Sequence, residues 1–244
     1  MLFSWQDEGT TGIKFIQKDF SLMKDAQALG KQLEPADLVV LTHGILAAGT
    51  RVATAEGIEQ DMAVSTLSRL VILRELIPRL STSRIVVYGM PGNGMKFDHF
   101  DDLNAEKSYA GGFGFVHANT VGGNEAIVLH HAASEELKRR GVSIFGANPG
   151  LLATNIRGVL YGDGIGSIVG GAVEKLMSWF TPSLEAYAER MVPLFFAPGL
   201  EEHSGAMFGQ SATAIKCNPE FEPKGRATEW YQAMEALVKR CAGI

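Results

Sequence analysis

Short runs of consecutive apolar residues alternate along this chain with longer stretches in which apolar positions recur every three or four residues. Asp37-Leu-Val-Val-Leu41, Arg84-Ile-Val-Val-Tyr88 and Val142-Ser-Ile-Phe-Gly146 are the clearest short runs. Their length and β-branched content predict strands of a parallel sheet covered on both faces. Lys14-Phe-Ile-Gln17 predicts a further short strand, and Ala206-Met-Phe208 a small last one. Between them the helical spacing predicts a helix capped by Ser21 and running to Leu29. A long helix is expected from Thr54 to about Leu76, closed by Pro78. Others are expected from about Asn124 to Arg140 and from Trp230 to Arg240, with a loop and helix over positions 160–182. Strand, helix, strand, helix, strand with apolar strands specifies an α/β sheet with right-handed crossovers. No internal repeat or linker divides the chain, so residues 1–244 are expected to form one domain.

Composition narrows the partners. A net charge of -5 and the absence of a basic stripe argue against nucleic acid. Lys138-Arg139-Arg140 ends a helix, where cations complement its dipole. Cys217 and Cys241 make no CxxC and no disulfide framework, which fits a reducing compartment. The first residues carry no signal-peptide pattern, and no run is long enough for a membrane span. A soluble, cytoplasmic protein is therefore expected. Histidines 43, 99, 117, 130, 131 and 203 show no metal-ligand spacing, and the acidic stretch Asp98, Asp101, Asp102 reads as a solvated loop.

Several segments, in order, resemble the short-chain dehydrogenase/reductase family, particularly its retinol-dehydrogenase-like branch. Asp19-Phe20 after the first strand is similar to the pair that contacts adenine. Leu41-Thr42-His43-Gly44-Ile45 stands where the family has Asn-Asn-Ala-Gly, and Glu56-Gly57-Ile58-Glu59 opens the long helix as in that branch. Asp102-Leu-Asn-Ala-Glu-Lys-Ser-Tyr109 resembles its loop before the catalytic helix. Pro149-Gly150-Leu-Leu-Ala-Thr154 resembles its Pro-Gly-x-x-x-Thr segment, and Ser204-Gly-Ala-Met-Phe208 its last strand. The resemblance implies a Rossmann-type three-layer α/β/α parallel sheet and an oxidoreductase using NAD or NADP on a small carbonyl or alcohol substrate. It also implies that Asp19 and Phe20 flank adenine, that Thr42, His43 and Gly44 line the ribose side, and that Pro149, Gly150 and Thr154 lie near nicotinamide. Pairing of two copies through the helices near Glu56 and Asn124 is a further implication.

Two departures accompany it. Residues 1–14 hold no counterpart of the family's first βαβ unit, with its Gly-rich phosphate turn and the following strand. Its absence is expected to leave an unpaired sheet edge. The catalytic pair is also missing: the Tyr position falls at Asn119 or Thr120 and the Lys position at Gly123 or Asn124. The family Ser falls at Gly89 or Met90, the helix Asn falls at Ser65, and no Tyr-x-x-x-Lys occurs anywhere. Tyr88 and Tyr109 are the phenols nearest in sequence, and Asn119, Thr120 and Asn124 could bind a ligand or cap the following helix. No catalytic residue is thereby assigned. A non-catalytic relative that binds a nucleotide or a partner protein is the alternative reading.

Rival motifs carry less. Gly89-x-x-Gly92-x-Gly94 follows a strand but precedes no helix start, so it reads as a turn. Gly162-Asp-Gly-Ile-Gly166 reads as a loop over a pocket, and the apolar run from Ile165 to Phe180 as its cap. The Gly-x-Ser-x-Gly elbow of hydrolases is absent.

Overall fold

The three apolar runs pair side by side, all pointing one way. In the computed structural model, which describes residues 14–92, 96–97, 100–112, 114–150, 152 and 182–244, β1 (Leu38–Leu41) lies parallel to β2 (Arg84–Tyr88). β2 is parallel to β3 (Ser143–Ala147), and β3 to β4 (Met207–Phe208). β5 (Ala214–Ile215) returns antiparallel beside β4. Gly94, Asp98, His99, Thr154, the glycines at 162–166 and the apolar run to Phe180 lie outside the described residues.

Side-chain alternation along the strands sorts the core into two layers. Ile85 and Val87 of β2 and Ile144 of β3 join a cluster with Met23, Ile72, Ile127 and Trp230. Val86 and Phe145 point the other way and pack with Tyr187, Met191 and Phe195. Those last three come from α6 (Leu184–Phe195), a helix the sequence pattern did not single out. Helices on both faces of a mainly parallel sheet make the expected three-layer α/β/α architecture.

One apolar run is less covered than its pattern predicts, and one expected strand does not form. β1 borders the sheet among the described residues, and Val40 is 39% exposed, so this run is covered less fully than β2 and β3. Lys14–Gln17 forms no strand, and Phe15 is 78% exposed. An extended segment needs a hydrogen-bonding neighbour to become a strand, and none flanks it among the described residues.

Helix ends also move. α1 (Met23–Gln32) has Leu22 at its N-cap with no side-chain cap of its own. Glu56, far away in sequence, supplies the acceptor instead: its Oε2 takes the Met23 N–H at 2.6 Å and its Oε1 the Lys24 N–H at 3.3 Å. Ser21 therefore does not cap this helix. The long helix starts later than Thr54, because residues 53–59 fold back through an Ala53–Glu59 bridge with Gly57 at φ 79°. It runs as α2 (Gln60–Met62), a π-helical turn Ala63–Leu67, and α3 (Ser68–Leu76). Glu59 caps it by accepting the Met62 N–H at 2.8 Å.

The next helix starts earlier than Asn124. α4 (Phe115–Ala132) is followed by α5 (Glu135–Arg139), with Ser134 capping the latter. Asn119, Thr120 and Asn124 are thus interior helical residues rather than caps. α7 (Arg226–Ala242) lies against α4, where a Cβ at Gly122 would come within 3.1 Å of Trp230. Such glycines let two helices approach closely, and they explain why the apolar periodicity of α4 is weak: almost every side chain is buried.

Candidate active site

Parallel strands gather their carboxyl ends at one edge of the sheet, which is where open α/β sheets bind ligands. A cavity of about 380 Å³ lies there. Thr42 and Gly44 reach it from the end of β1, Tyr88, Gly89 and Met90 from β2, and Pro149 and Gly150 from β3. α4 contributes His117, Thr120, Val121 and Asn124, a spacing of three and four residues that puts them on one helical face. Ser65 and Arg69 come from the π turn and α3, and Leu184 and Tyr187 from α6.

The structure therefore brings Thr42, Gly44, Pro149 and Gly150 together. His43 turns away toward the rim, where its ring sits 4.4 Å from the Phe20 ring and its Nε2 lies 2.9 Å from Ser68 Oγ. Burial, and then the Arg69 charge, push the His43 pKa down to about 3, so this imidazole is neutral. Asp19 is exposed beside Phe20 and accepts the Ser21 N–H at 2.9 Å. Hydrogen bonds from Ser21 hold its carboxyl below the usual range. Thr154 lies outside the described residues.

Beneath the cavity runs a buried polar network that the sequence reading missed. Asp61 is fully buried. Its Oδ1 accepts from Ser65 Oγ at 2.6 Å, and its Oδ2 lies 2.9 Å from His117 Nδ1 and 3.3 Å from Thr120 Oγ1. Ser65 Oγ in turn accepts the Ile45 N–H at 2.8 Å, fixing the turn after β1. Arg69 donates to Asn124 Oδ1 at 2.9 Å and to the carbonyls of Tyr88 and His43. Burial lowers the Arg69 pKa to about 9, with Asp61 opposing the shift, so the guanidinium stays cationic at neutral pH. The signal was present in the chain: Asp61, Ser65 and Arg69 recur every four residues, which puts them on one face of the helix.

The residues offered for the missing pair differ in where they point. Thr120 and Asn124 line the cavity, whereas Gly123 is packed against Thr66 and Met234. Both Gly89 and Met90, the alternatives for the family Ser, reach the cavity. A Cβ at Gly89 would lie 2.6 Å from Asn124 Cβ, so the end of β2 presses directly on α4. Tyr109 does not line the cavity, and its hydroxyl donates to the Ala48 carbonyl at 2.7 Å. Tyr88 and Tyr187 do line it, with rings edge to face at 6.3 Å, and burial raises both phenols.

A larger cavity, about 580 Å³, opens at the amino ends of the strands among Asp37, Arg84, Lys138 and Ser143. Arg84 there is already paired with Glu201 at 2.6 Å. Size alone does not choose between the two, and the convergent polar groups favour the smaller one. Among the described residues no helix is long and apolar enough to cross a membrane.

No family model matches the chain. An uncharacterized oxidoreductase of Saccharomyces cerevisiae is 34% identical over 240 residues, covering 93% of this chain and 75% of the yeast protein. Mouse retinol dehydrogenase 11 is 26% identical over 106 residues, covering 42% of this chain and 32% of that protein. Among solved structures, a short chain dehydrogenase family protein from Francisella tularensis superposes with a TM-score of 0.59 at 15% identity, over 84% of this chain and 82% of that one. A 3-oxoacyl-[acyl-carrier protein] reductase from Brucella melitensis in complex with NAD gives 0.54 at 13% identity, over 81% and 76%. Parallel topology, the cavity at the carboxyl ends and these likenesses agree: the chain belongs to the short-chain dehydrogenase/reductase family.

Proposed function

We propose that the chain is a nicotinamide-dinucleotide-dependent oxidoreductase acting on a carbonyl or alcohol substrate. The observation that carries this reading is the convergence of Thr42, Gly44, Gly89, Pro149 and Gly150 on one cavity at the carboxyl ends of three parallel strands. The residues present fit the cofactor. Gly44 and Gly150 place no side chain at the two mouths of the strands, which lets a ligand approach the main chain. Walls such as Ile45, Leu46 and Val121 are apolar, and Arg69 holds a fixed positive charge beside them.

In this reading Asp19 and Phe20 flank adenine, Thr42, His43 and Gly44 line the ribose side, and Pro149 and Gly150 lie beside the nicotinamide ring. Thr154 keeps the same assignment from the sequence. NAD or NADP, when bound, supplies or accepts a hydride at the substrate carbon. The protein's part is to exclude water with its apolar walls, orient the substrate oxygen and hold positive charge near it through Arg69. Those walls suit a small, largely apolar aldehyde, ketone or alcohol. The NAD complex of the Brucella reductase supports the cofactor class.

A second reading, a non-catalytic relative that keeps the cleft for binding, is favoured by Thr120 and Asn124 standing where the family has Tyr and Lys. Calorimetry with NADH and NADPH, followed by turnover assays across an aldehyde and ketone panel, separates the two. Binding with turnover supports the enzyme. Binding without turnover favours the second reading, and no binding of either nucleotide contradicts the cofactor site.

A further inference from the structure

We propose that His117, oriented by Asp61, is the proton donor of this site. The proposal rests on the oxidoreductase reading above and fills the role that the missing phenol leaves open. His117 sits on α4 one turn before Thr120, on the face that lines the cavity. Its Nδ1 lies 2.9 Å from Asp61 Oδ2. An ionised carboxylate only accepts hydrogen bonds, so Nδ1 carries a hydrogen and Nε2 is the nitrogen that exchanges protons with a ligand.

Packing alone does not account for the arrangement. A fully buried carboxylate costs several kcal/mol in lost hydration unless its charge is matched, and an apolar residue would pack there without that cost. Here Asp61 is held on both oxygens, by Ser65 at 2.6 Å on one and by His117 and Thr120 on the other. Arg69, buried one further turn along the same helix from Ser65, supplies the opposite charge. The carboxylate thus fixes the ring's tautomer and angle, as a positioning residue.

The chemistry balances. As hydride adds to the carbonyl carbon, its electron pair becomes the new C–H bond and the π pair of the C=O bond moves onto oxygen. That oxygen takes the proton from Nε2–H of the imidazolium, whose N–H electron pair stays on the ring. Neutral His117, whose Nε2 is buried, regains a proton from water that enters as product leaves. In the alcohol-oxidising direction Nε2 takes the hydroxyl proton and each step reverses.

The test compares the full chain with His117→Gln, His117→Ala and Asp61→Asn. Nucleotide affinity is measured by NADH fluorescence titration, turnover by carbonyl reduction, and the ring's state by ¹⁵N NMR of labelled histidine without nucleotide. The expected result is affinity within about threefold of the parent, with reduction lowered about 100-fold or more in both His117 variants. Added imidazole should raise the rate of His117→Ala about tenfold or more, acting in the space the side chain vacated. The parent should show His117 protonated at Nδ1, and Asp61→Asn should change that signal. A His117 variant that keeps more than about a tenth of the rate overturns the proposal, as does an absence of imidazole rescue or an Nε2–H tautomer in the parent. A parent that binds NADH but reduces no carbonyl overturns this proposal and leaves the cofactor site standing. A parent that binds neither nucleotide overturns both.

Discussion

Arg69 Nη1 donates to Asn124 Oδ1 at 2.9 Å, joining the helix after β1 to the helix after β2 across the ends of both strands. The same guanidinium donates to the carbonyls of His43 and Tyr88. One buried cation therefore ties the turn after β1, the end of β2 and α4 into a single rigid wall of the cavity. Positive charge reaches this wall from α3, through Arg69.

Removing that cation should be costly. Arg69→Leu strands one buried and two part-buried acceptors and leaves the charge on Asp61 unmatched, and a loss of roughly 3 kcal/mol is expected. Arg69→Lys should recover only part of it, since an ammonium cannot span the same three acceptors as a planar fork. Urea unfolding of the three proteins checks this. A midpoint for Arg69→Leu equal to the parent's would mean the network contributes nothing.

Glu56 caps α1 across a long stretch of chain, through the N–H groups of Met23 and Lys24. Glu56→Ala should cost about 1 kcal/mol, the usual worth of an N-cap acceptor with its favourable charge. For a chain of this size that corresponds to a fall in Tm of about 2–4 °C. Faster amide exchange in the first turn of α1 should accompany it, and Ser21→Ala should leave both measurements unchanged.

Acid should destabilise the fold in part through His131. Burial first, then the charge of neighbouring His130, pushes its pKa down to about 4. The ring packs edge to face against Tyr231 at 5.2 Å. Between about pH 6.5, where an unfolded histidine titrates, and pH 4, the unfolded chain binds a proton that the folded chain refuses. This contribution is complete above about pH 6.5 and is lost as pH falls. Glu59 and Glu125, raised by burial, act in the opposite sense, so the informative quantity is a difference between proteins. From pH 7 to pH 5 the parent should lose on the order of 1–2 kcal/mol more than His131→Phe. Equal losses by urea titration would contradict the buried, neutral ring.

The parts of this molecule that were legible in the sequence are those set by local pattern. Arg84–Tyr88 and Ser143–Ala147 announce themselves because buried parallel strands need consecutive apolar side chains. Gly44 and Pro149 share one cavity because each follows such a strand, and parallel strands end together. Helix starts leave no local signal where the cap is remote or the helix is buried all round. Glu56 caps α1 from beyond the reach of any local signal, and α4 lacks an exposed face to mark its first turns. The Asp61–His117 pair joins residues from two helices and needed the fold to bring them together. Asp61, Ser65 and Arg69 alone offered a readable clue, as polar residues at four-residue spacing.

Amide hydrogen exchange of the full chain with and without NADH or NADPH tests the location of the site most directly. Protection on nucleotide binding is expected at residues 42–46, 88–90 and 148–150, the carboxyl-end mouths of β1, β2 and β3. Protection confined to the opposite cavity around Asp37, Arg84 and Ser143, or no protection by either nucleotide, would contradict the account.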